Sequence, residues 1–407
     1  MRRHLTSLAA LLVLGSWGFP ADPGAPVSNP WTLSAHAEDG AEAEFPLVVQ
    51  AHQAFIRVQG QQARGSMTWK VAVLDPARAE GLPAPVELEG ASTRGARISG
   101  GRLDLPDGLS PGTILTFQGD LKPLRTPFSP SGAFRTVPGS PVARAELVVR
   151  NTAGPLSVWS DQAAHSTWSD KRDPEARLVW TDLGPDDVAE AVWTTSPGWA
   201  EAGKALERQV EPMLTDKLGR VLGQDLGAVT PARAAEMVFN EIELVAGPDV
   251  GWTGRPGRYA IEGGSGTRAE RGAVLISVLR KAGYDARPAL YRPATLDGAV
   301  PTSIAATSLL LRPLVAVPRG DRIEWIDPGS DHVLPPDLPA DLTGAVAWMA
   351  GDLPRRLDAS GASEGTVPIS GEVRLERDGG ESFTVTLTAT GTALEWLEER
   401  LRGLDDN

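Results

Sequence analysis

The passage from Thr267 to Gly283 constrains the fold most, because it is an apolar helical pattern closed at both ends. Thr267 followed three residues later by Glu270 is a capping box, in which side chain and backbone satisfy each other's free groups. Ala273, Ile276 and Leu279 recur at helical spacing, and Leu275, Val278 and Ala282 add apolar surface on other sides. A helix apolar nearly all round belongs at the centre of a fold. Gly283 stands just past the last turn, where a C-terminal cap favours glycine. Gly263-Gly264-Ser265-Gly266 leads in, so the chain enters this helix through a glycine-rich loop. The N-terminus of the helix is the first place to look for function.

Such loops suit anions, since free N–H groups and the helix dipole favour negative charge. The nucleotide patterns fail here: there is no G-x-x-x-x-G-K-[ST], and no strand leads through G-x-G-x-x-G into a helix. A tight turn into a capped helix is the preferred account of the loop over any ligand site. The 407 residues allow two or three domains, and acidic residues exceed basic ones, 52 to 39, which argues against nucleic acid as a partner. Arg2-Arg3 followed by the apolar stretch Leu5 to Phe19 has signal-peptide form and is short for a membrane span, with Ala35-His36-Ala37 as a cleavage site. An uncleaved anchor is the alternative, and would be the chain's only membrane contact. There is no cysteine in the chain, so neither a disulfide nor a thiol nucleophile is available. An exported protein of this kind is expected in a bacterial periplasm or outside the cell.

From Phe45 to about Thr181 the chain reads as short strands parted by Gly, Pro and Asp turns: Phe45–Gln50, Ala54–Val58, Met67–Leu74, Arg102–Leu105, Thr113–Gln118, Ala143–Arg150, Leu156–Ser160 and Ala176–Thr181. That spacing implies a β-sandwich, with Trp69, Trp159, Trp168 and Trp180 as core or rim packing. From Asp187 the pattern turns helical as far as Val210, broken at Pro197 and Pro212. Thr230-Pro231 starts an amphipathic helix to about Leu244. An irregular segment, 247–264, precedes the central helix. Strands are expected at Pro288–Tyr291, Leu309–Val317 and Ile323–Pro328, giving an α+β pattern. After a Pro-rich connection and the linker 358–366, Val373 and Leu375, an Asp378-Gly379 turn, and Phe383, Val385 and Leu387 form a hairpin. Thr392 with Glu395 opens a last helix.

Residues from about Pro231 to Pro328 resemble the core of the bacterial transglutaminase-like superfamily. The helix of that family carries a segment like G-D-C-K-D-x-A-x-L-L-x-A-L-L-R-A-x-G; here Gly266, Leu275, Leu279, Arg280 and Gly283 fall in step without a gap, and Glu270 stands where the family has an acid. Trp325-Ile326-Asp327-Pro328 is similar to the family's W-L-D-P-T. The upstream strands and Trp199 resemble the β-sandwich domain that often precedes this core in exported proteins. The resemblance implies that the nucleophilic cysteine is replaced by Arg268 and the histidine by Arg312, while the aspartate is kept as Asp327. A guanidinium stays protonated and serves as neither base nor nucleophile, so thiol acyl transfer is excluded. At a helix N-terminus it is also disfavoured by roughly a few tenths of a kcal/mol.

The expected architecture is therefore α+β and multidomain: a signal peptide over 1–37, a β-sandwich over 38–185, a degenerate transglutaminase-like (papain-like) core over 186–357, and a linker, β-hairpin and C-terminal helix over 358–407. The expected protein is a non-catalytic one, with Arg268, Arg312 and Asp327 forming either a structural ion network or a binding site for a carboxylate-bearing peptide or cell-wall glycan. A hydrolase using Ser265 or Thr267 with His332 and Asp327 is the enzymatic alternative, although no G-x-S-x-G elbow is present. A purely structural envelope component pairing through edge strands is another. His52 and His165 lie isolated in strand territory. No cofactor pattern is present, and no metal-ligand spacing includes those histidines.

Overall fold

The computed structural model describes residues 45–121, 128–152, 154–161, 165–169, 173–219, 229–247, 251–294, 296, 298–330, 338–339, 342–357, 369–375 and 381–387. The expected signal segment, His332, the linker and the last helix lie outside these residues. The chain divides into two compact units, Met1–Ser196 and Pro197–Asn407, and its class is α+β.

The first unit is built from β1 (Leu47–Gln59), β2 (Gln62–Val73), a short helix α1 (Pro76–Ala79), β3 (Ser92–Thr93), β4 (Ala96–Ser99), β5 (Arg102–Asp104), β6 (Thr113–Leu121), β7 (Ser131–Arg135), β8 (Val142–Asn151), β9 (Ser157–Ser160), β10 (His165–Ser169), β11 (Glu175–Leu183) and β12 (Glu190–Thr194). One sheet of six strands runs β10-β11-β8-β1-β2-β6; a second runs β7-β12-β9, and β3-β4-β5 form a small third sheet. β1 pairs antiparallel with β2 and parallel with β8. Alternation along these strands turns Val49, Met67, Trp69, Phe117, Leu147 and Val149 into one core with Phe134, Ala191 and Trp193 of the second sheet. Phe134 of β7 lies 5.8 Å from Trp180 of β11, ring to ring. Trp69 and Trp180 are buried and Trp159 is half-buried.

Residues 190–194, within the stretch expected to be helical, form a strand instead. Glu190–Thr194 is the central strand of its sheet, paired on both sides, and all five residues are buried. A strand covered on both faces loses the alternation by which strands are recognised.

The second unit opens with α2 (Trp199–Val210), which extends into a 3₁₀ turn at Glu211–Met213. The helix α3 (Pro231–Glu241) carries proline at its first turn and a Thr230 cap that accepts from the Arg233 N–H. It stops three residues short of expectation. Glu243–Leu244 forms β13 instead, pairing parallel with β14 (Ser265–Gly266). The segment expected to be irregular contains α4 (Gly257–Gly263). Then come α5 (Arg268–Lys281), β15 (Arg287–Arg292), β16 (Arg312–Arg319), β17 (Arg322–Ile326), β18 (Val346–Met349) and β19 (Arg355–Arg356). The expected strand Leu309–Val317 begins only at Arg312, because Thr307–Leu309 is a 3₁₀ turn. The five-stranded sheet runs β17-β16-β15-β18-β19; β18 and β19 were not foreseen. The strands β20 (Ile369–Leu375) and β21 (Glu381–Leu387) form an antiparallel hairpin with Val373 opposite Phe383, and its Asp378-Gly379 turn lies outside the described residues.

α5 is the hub of this unit. It contacts α3, α4, β14, β15 and β16, and every residue from Ala269 to Leu279 is buried. The fully buried Trp252 lies against Gly272 of α5, and its indole N–H donates to the Ala289 carbonyl at 2.8 Å.

Candidate functional site

The glycine-rich approach to α5 is not a phosphate cradle. Gly264 is the C-terminal cap of α4, left-handed at φ 69°, a conformation that glycine adopts without steric cost. Ser265 and Gly266 are drawn into the β13–β14 ladder, and the Glu243 N–H donates to the Gly264 carbonyl at 2.9 Å. The loop thus joins two helices through a parallel bridge.

The capping box forms as the sequence predicts. The Thr267 hydroxyl accepts from the Glu270 N–H at 3.4 Å, and the Glu270 carboxylate accepts from the Thr267 N–H at 3.1 Å. Arg255 adds what the sequence did not reveal. Its backbone N–H and its Nε reach Glu270 Oε1 at 2.9 and 2.8 Å, and Nη2 reaches Oε2 at 3.2 Å. Bonding from the Arg255 guanidinium holds the Glu270 carboxyl below the usual carboxylate range, against the opposing effect of its burial.

Arg268 is the first residue of α5. Its Nη1 lies 2.6 and 2.8 Å from the two Asp327 carboxylate oxygens and 3.1 Å from the Tyr291 hydroxyl. The Tyr291 hydroxyl in turn donates to Asp327 at 3.3 Å, and the Gly329 N–H donates to it at 2.7 Å. The carboxylate thus offsets the unfavourable position of a cation at a helix N-terminus. The cluster is nearly closed: the side chains of Arg268 and Asp327 are 15% and 4% exposed. Gly329 makes room for it, since a Cβ at that position would stand 2.2 Å from the guanidinium carbon.

Each member comes from a different element. Pro328 ends the strand that carries Asp327 just beyond β17, and Tyr291 lies in β15 with its ring in the apolar core between Ala289, Leu314 and Trp325. Arg312, the third residue expected here, opens β16 directly opposite Tyr291. Opposed residues share a face of the sheet, so Arg312 stands on the side where the Tyr291 ring lies. Thr267 acts as a cap and Ser265 as a strand residue, while His332 lies outside the described residues. Sequence reasoning paired Arg268 with Asp327 but missed Tyr291 and Arg255. The only trace of Tyr291 was a polar-tipped side chain in an otherwise apolar strand.

His52, singled out earlier only as isolated, is buried in the first unit. Its ring centroid is 4.9 Å from that of Phe134, and Nε2 has no hydrogen-bond partner among the described residues. Burial lowers its pKa to about 4, so it is neutral near pH 7.

No protein-family model matches the chain, and no curated protein does. Among solved structures, it is similar to a "putative protease" from Parabacteroides distasonis at 11% identity and TM-score 0.50, over 82% of this chain and 78% of that one. At that identity the likeness shows a distantly shared fold alone. A "putative cysteine protease" from Cytophaga hutchinsonii (10% identity, TM-score 0.23, 64% and 93% covered) and an M1 zinc metallopeptidase from Deinococcus radiodurans (15%, 0.23, 36% and 42%) are too dissimilar to carry an argument.

Proposed function

We propose that this chain is an exported, non-catalytic relative of the transglutaminase-like proteins, acting by binding or assembly in the bacterial cell envelope. The observation that carries this reading is Arg268 at the first position of the buried helix, held by Asp327 and Tyr291. The resemblance assigns that position to a nucleophilic cysteine, and a guanidinium cannot replace one. The pair is structural rather than a ligand clamp: with Asp327 only 4% exposed, an incoming carboxylate would have to displace a formed ion pair from a nearly dry site. Peptide or cell-wall glycan partners are met elsewhere on the surface. The export assignment rests on the Arg2-Arg3 and Leu5–Phe19 pattern.

The test incubates the purified full chain with blocked peptides, and with a glutamine peptide plus a primary amine. No turnover above buffer is expected. Turnover abolished by Ser265→Ala or Thr267→Ala would overturn the reading in favour of a hydroxyl-based hydrolase. A second arm replaces Arg268 by cysteine together with Asp327→Asn, so that no orphaned carboxylate opposes the thiolate, and follows alkylation against pH. A thiol at a helix N-terminus should titrate below the usual value of about 8.5, and one titrating above it would remove position 268 from the nucleophile's place.

A further inference from the structure

A concavity of about 590 Å³ lies at the opposite end of α5 from Arg268. With a rise of about 1.5 Å per residue, Lys281 stands about 20 Å along the helix from Arg268, so the two sites are separate. Four cations line it, Lys217, Arg258, Arg280 and Lys281, against two acids, Glu211 and Asp216. The chain as a whole carries a net charge of −13, so this excess of positive charge runs against the surrounding trend. Arg280 and Lys281 sit in the last helical turn, where the dipole alone would favour cations. Arg258 belongs to α4 and Lys217 to the segment after the Glu211–Met213 turn, and the dipole of α5 does not explain why they converge there.

The cations are not equally available. Arg280 donates to the Ala286 carbonyl at 2.9 Å and lies 3.8 Å from Glu211, so it is largely committed. Arg258 stacks on Tyr259 at 4.8 Å and donates to its hydroxyl. Among the described residues, the Lys217 and Lys281 ammonium groups make no ion pair. Leu214 and Pro256 give the wall apolar surface.

We propose that this concavity binds a short acidic peptide, of two or three residues with two carboxylates, its charges met by Lys217 and Lys281 and its carbon body by Leu214 and Pro256. Ammonium groups on flexible stems, carried by two different segments, can each meet a carboxylate. The apolar wall favours an organic ligand over a bare inorganic anion. The proposal goes beyond the reading of Arg268, and it stands or falls whether or not the protein is an enzyme.

Calorimetric titration of the full chain at low salt tests it, with a blocked Glu-Glu dipeptide, a blocked Ala-Ala dipeptide and inorganic phosphate as probes. Glu-Glu should bind, Ala-Ala should not, and phosphate should bind more weakly than Glu-Glu. Replacing Lys217 and Lys281 together by alanine should weaken Glu-Glu binding by about tenfold. Lys70→Ala, in the first unit, should leave it unchanged. Absence of Glu-Glu binding, equal affinity in the double variant, phosphate binding as tight as Glu-Glu, or the same loss in Lys70→Ala would each overturn the proposal. The last result would mean that only overall charge is sensed.

Discussion

Replacing Arg268 by alanine would leave Asp327 buried, with only the Tyr291 hydroxyl and the Gly329 N–H to hold its charge. Removing one partner of a buried pair costs about 3–5 kcal/mol, since the orphaned charge keeps its desolvation penalty. Asp327→Ala strands the guanidinium in the same way, so both single variants should lose about that much. Replacing both at once, as Arg268→Met with Asp327→Leu, removes both desolvation penalties together. That variant should lie within about 2 kcal/mol of wild type, whereas simple addition of the single losses predicts about 6–10 kcal/mol. The assay is urea unfolding of the full chain followed through the tryptophans of the second unit, which include Trp252, Trp325 and Trp348. Because two units can unfold separately, the second transition is fitted on its own. Single variants within about 0.5 kcal/mol of wild type, or a double variant as weak as the sum, would refute the structural assignment of the pair.

Gly329→Ala should act through the same pair, by driving the Arg268 guanidinium off its carboxylate. A loss of about 3 kcal/mol is expected, and it should largely vanish in an Arg268→Ala background, where the clash is gone. In the first unit, His52 has a pKa lowered from 6.5 to about 4, so the unfolded state binds the extra proton first as pH falls. Stability should be full above pH 6.5 and decline toward pH 4, by about 3 kcal/mol in all, and His52→Leu should flatten that slope in pH-dependent unfolding. Glu270 has a depressed pKa, so its contribution is present above about pH 4.5 and is lost as pH falls through the folded value. Acid unfolding of Glu270→Gln should accordingly lack that component. Thr267→Ala should cost about 1 kcal/mol through loss of the cap, read from the same urea curves.

The parts of the fold readable in advance were those written in local chemistry. The capping box and the glycine beyond Lys281 placed α5 almost to the residue. Alternation placed β1, β2, β8 and β11, although β1 runs through the break expected at residues 51–53 by means of a bulge between Val49 and Ala51. What escaped notice depends on partners remote in sequence. β12 is buried on both faces and shows no alternation. α4 has glycine at both ends and no side-chain cap, and it packs on α5. At the site, Arg268 and Asp327 could be paired through the family resemblance, yet Tyr291 reaches them only because β15 and β16 pair in one particular register. Arg255 is bound to Glu270 across a segment without periodicity, so nothing local announced it.

The parallel pairing of β1 with β8 also has a consequence in time. Ile56 meets Val149 in that ladder, so roughly 90 residues must be made after β1 before its second edge can be covered, about 5–20 s at ordinary rates of synthesis. β2 follows at once and protects one side. The other side waits with its row of N–H and C=O groups open to any neighbouring strand. Closing so long a loop is also slow for a finished chain that refolds, because the entropy is lost before the contacts form. The length of the connection between β1 and β8 therefore sets how long one edge of β1 waits uncovered, a property of biogenesis rather than of the finished form.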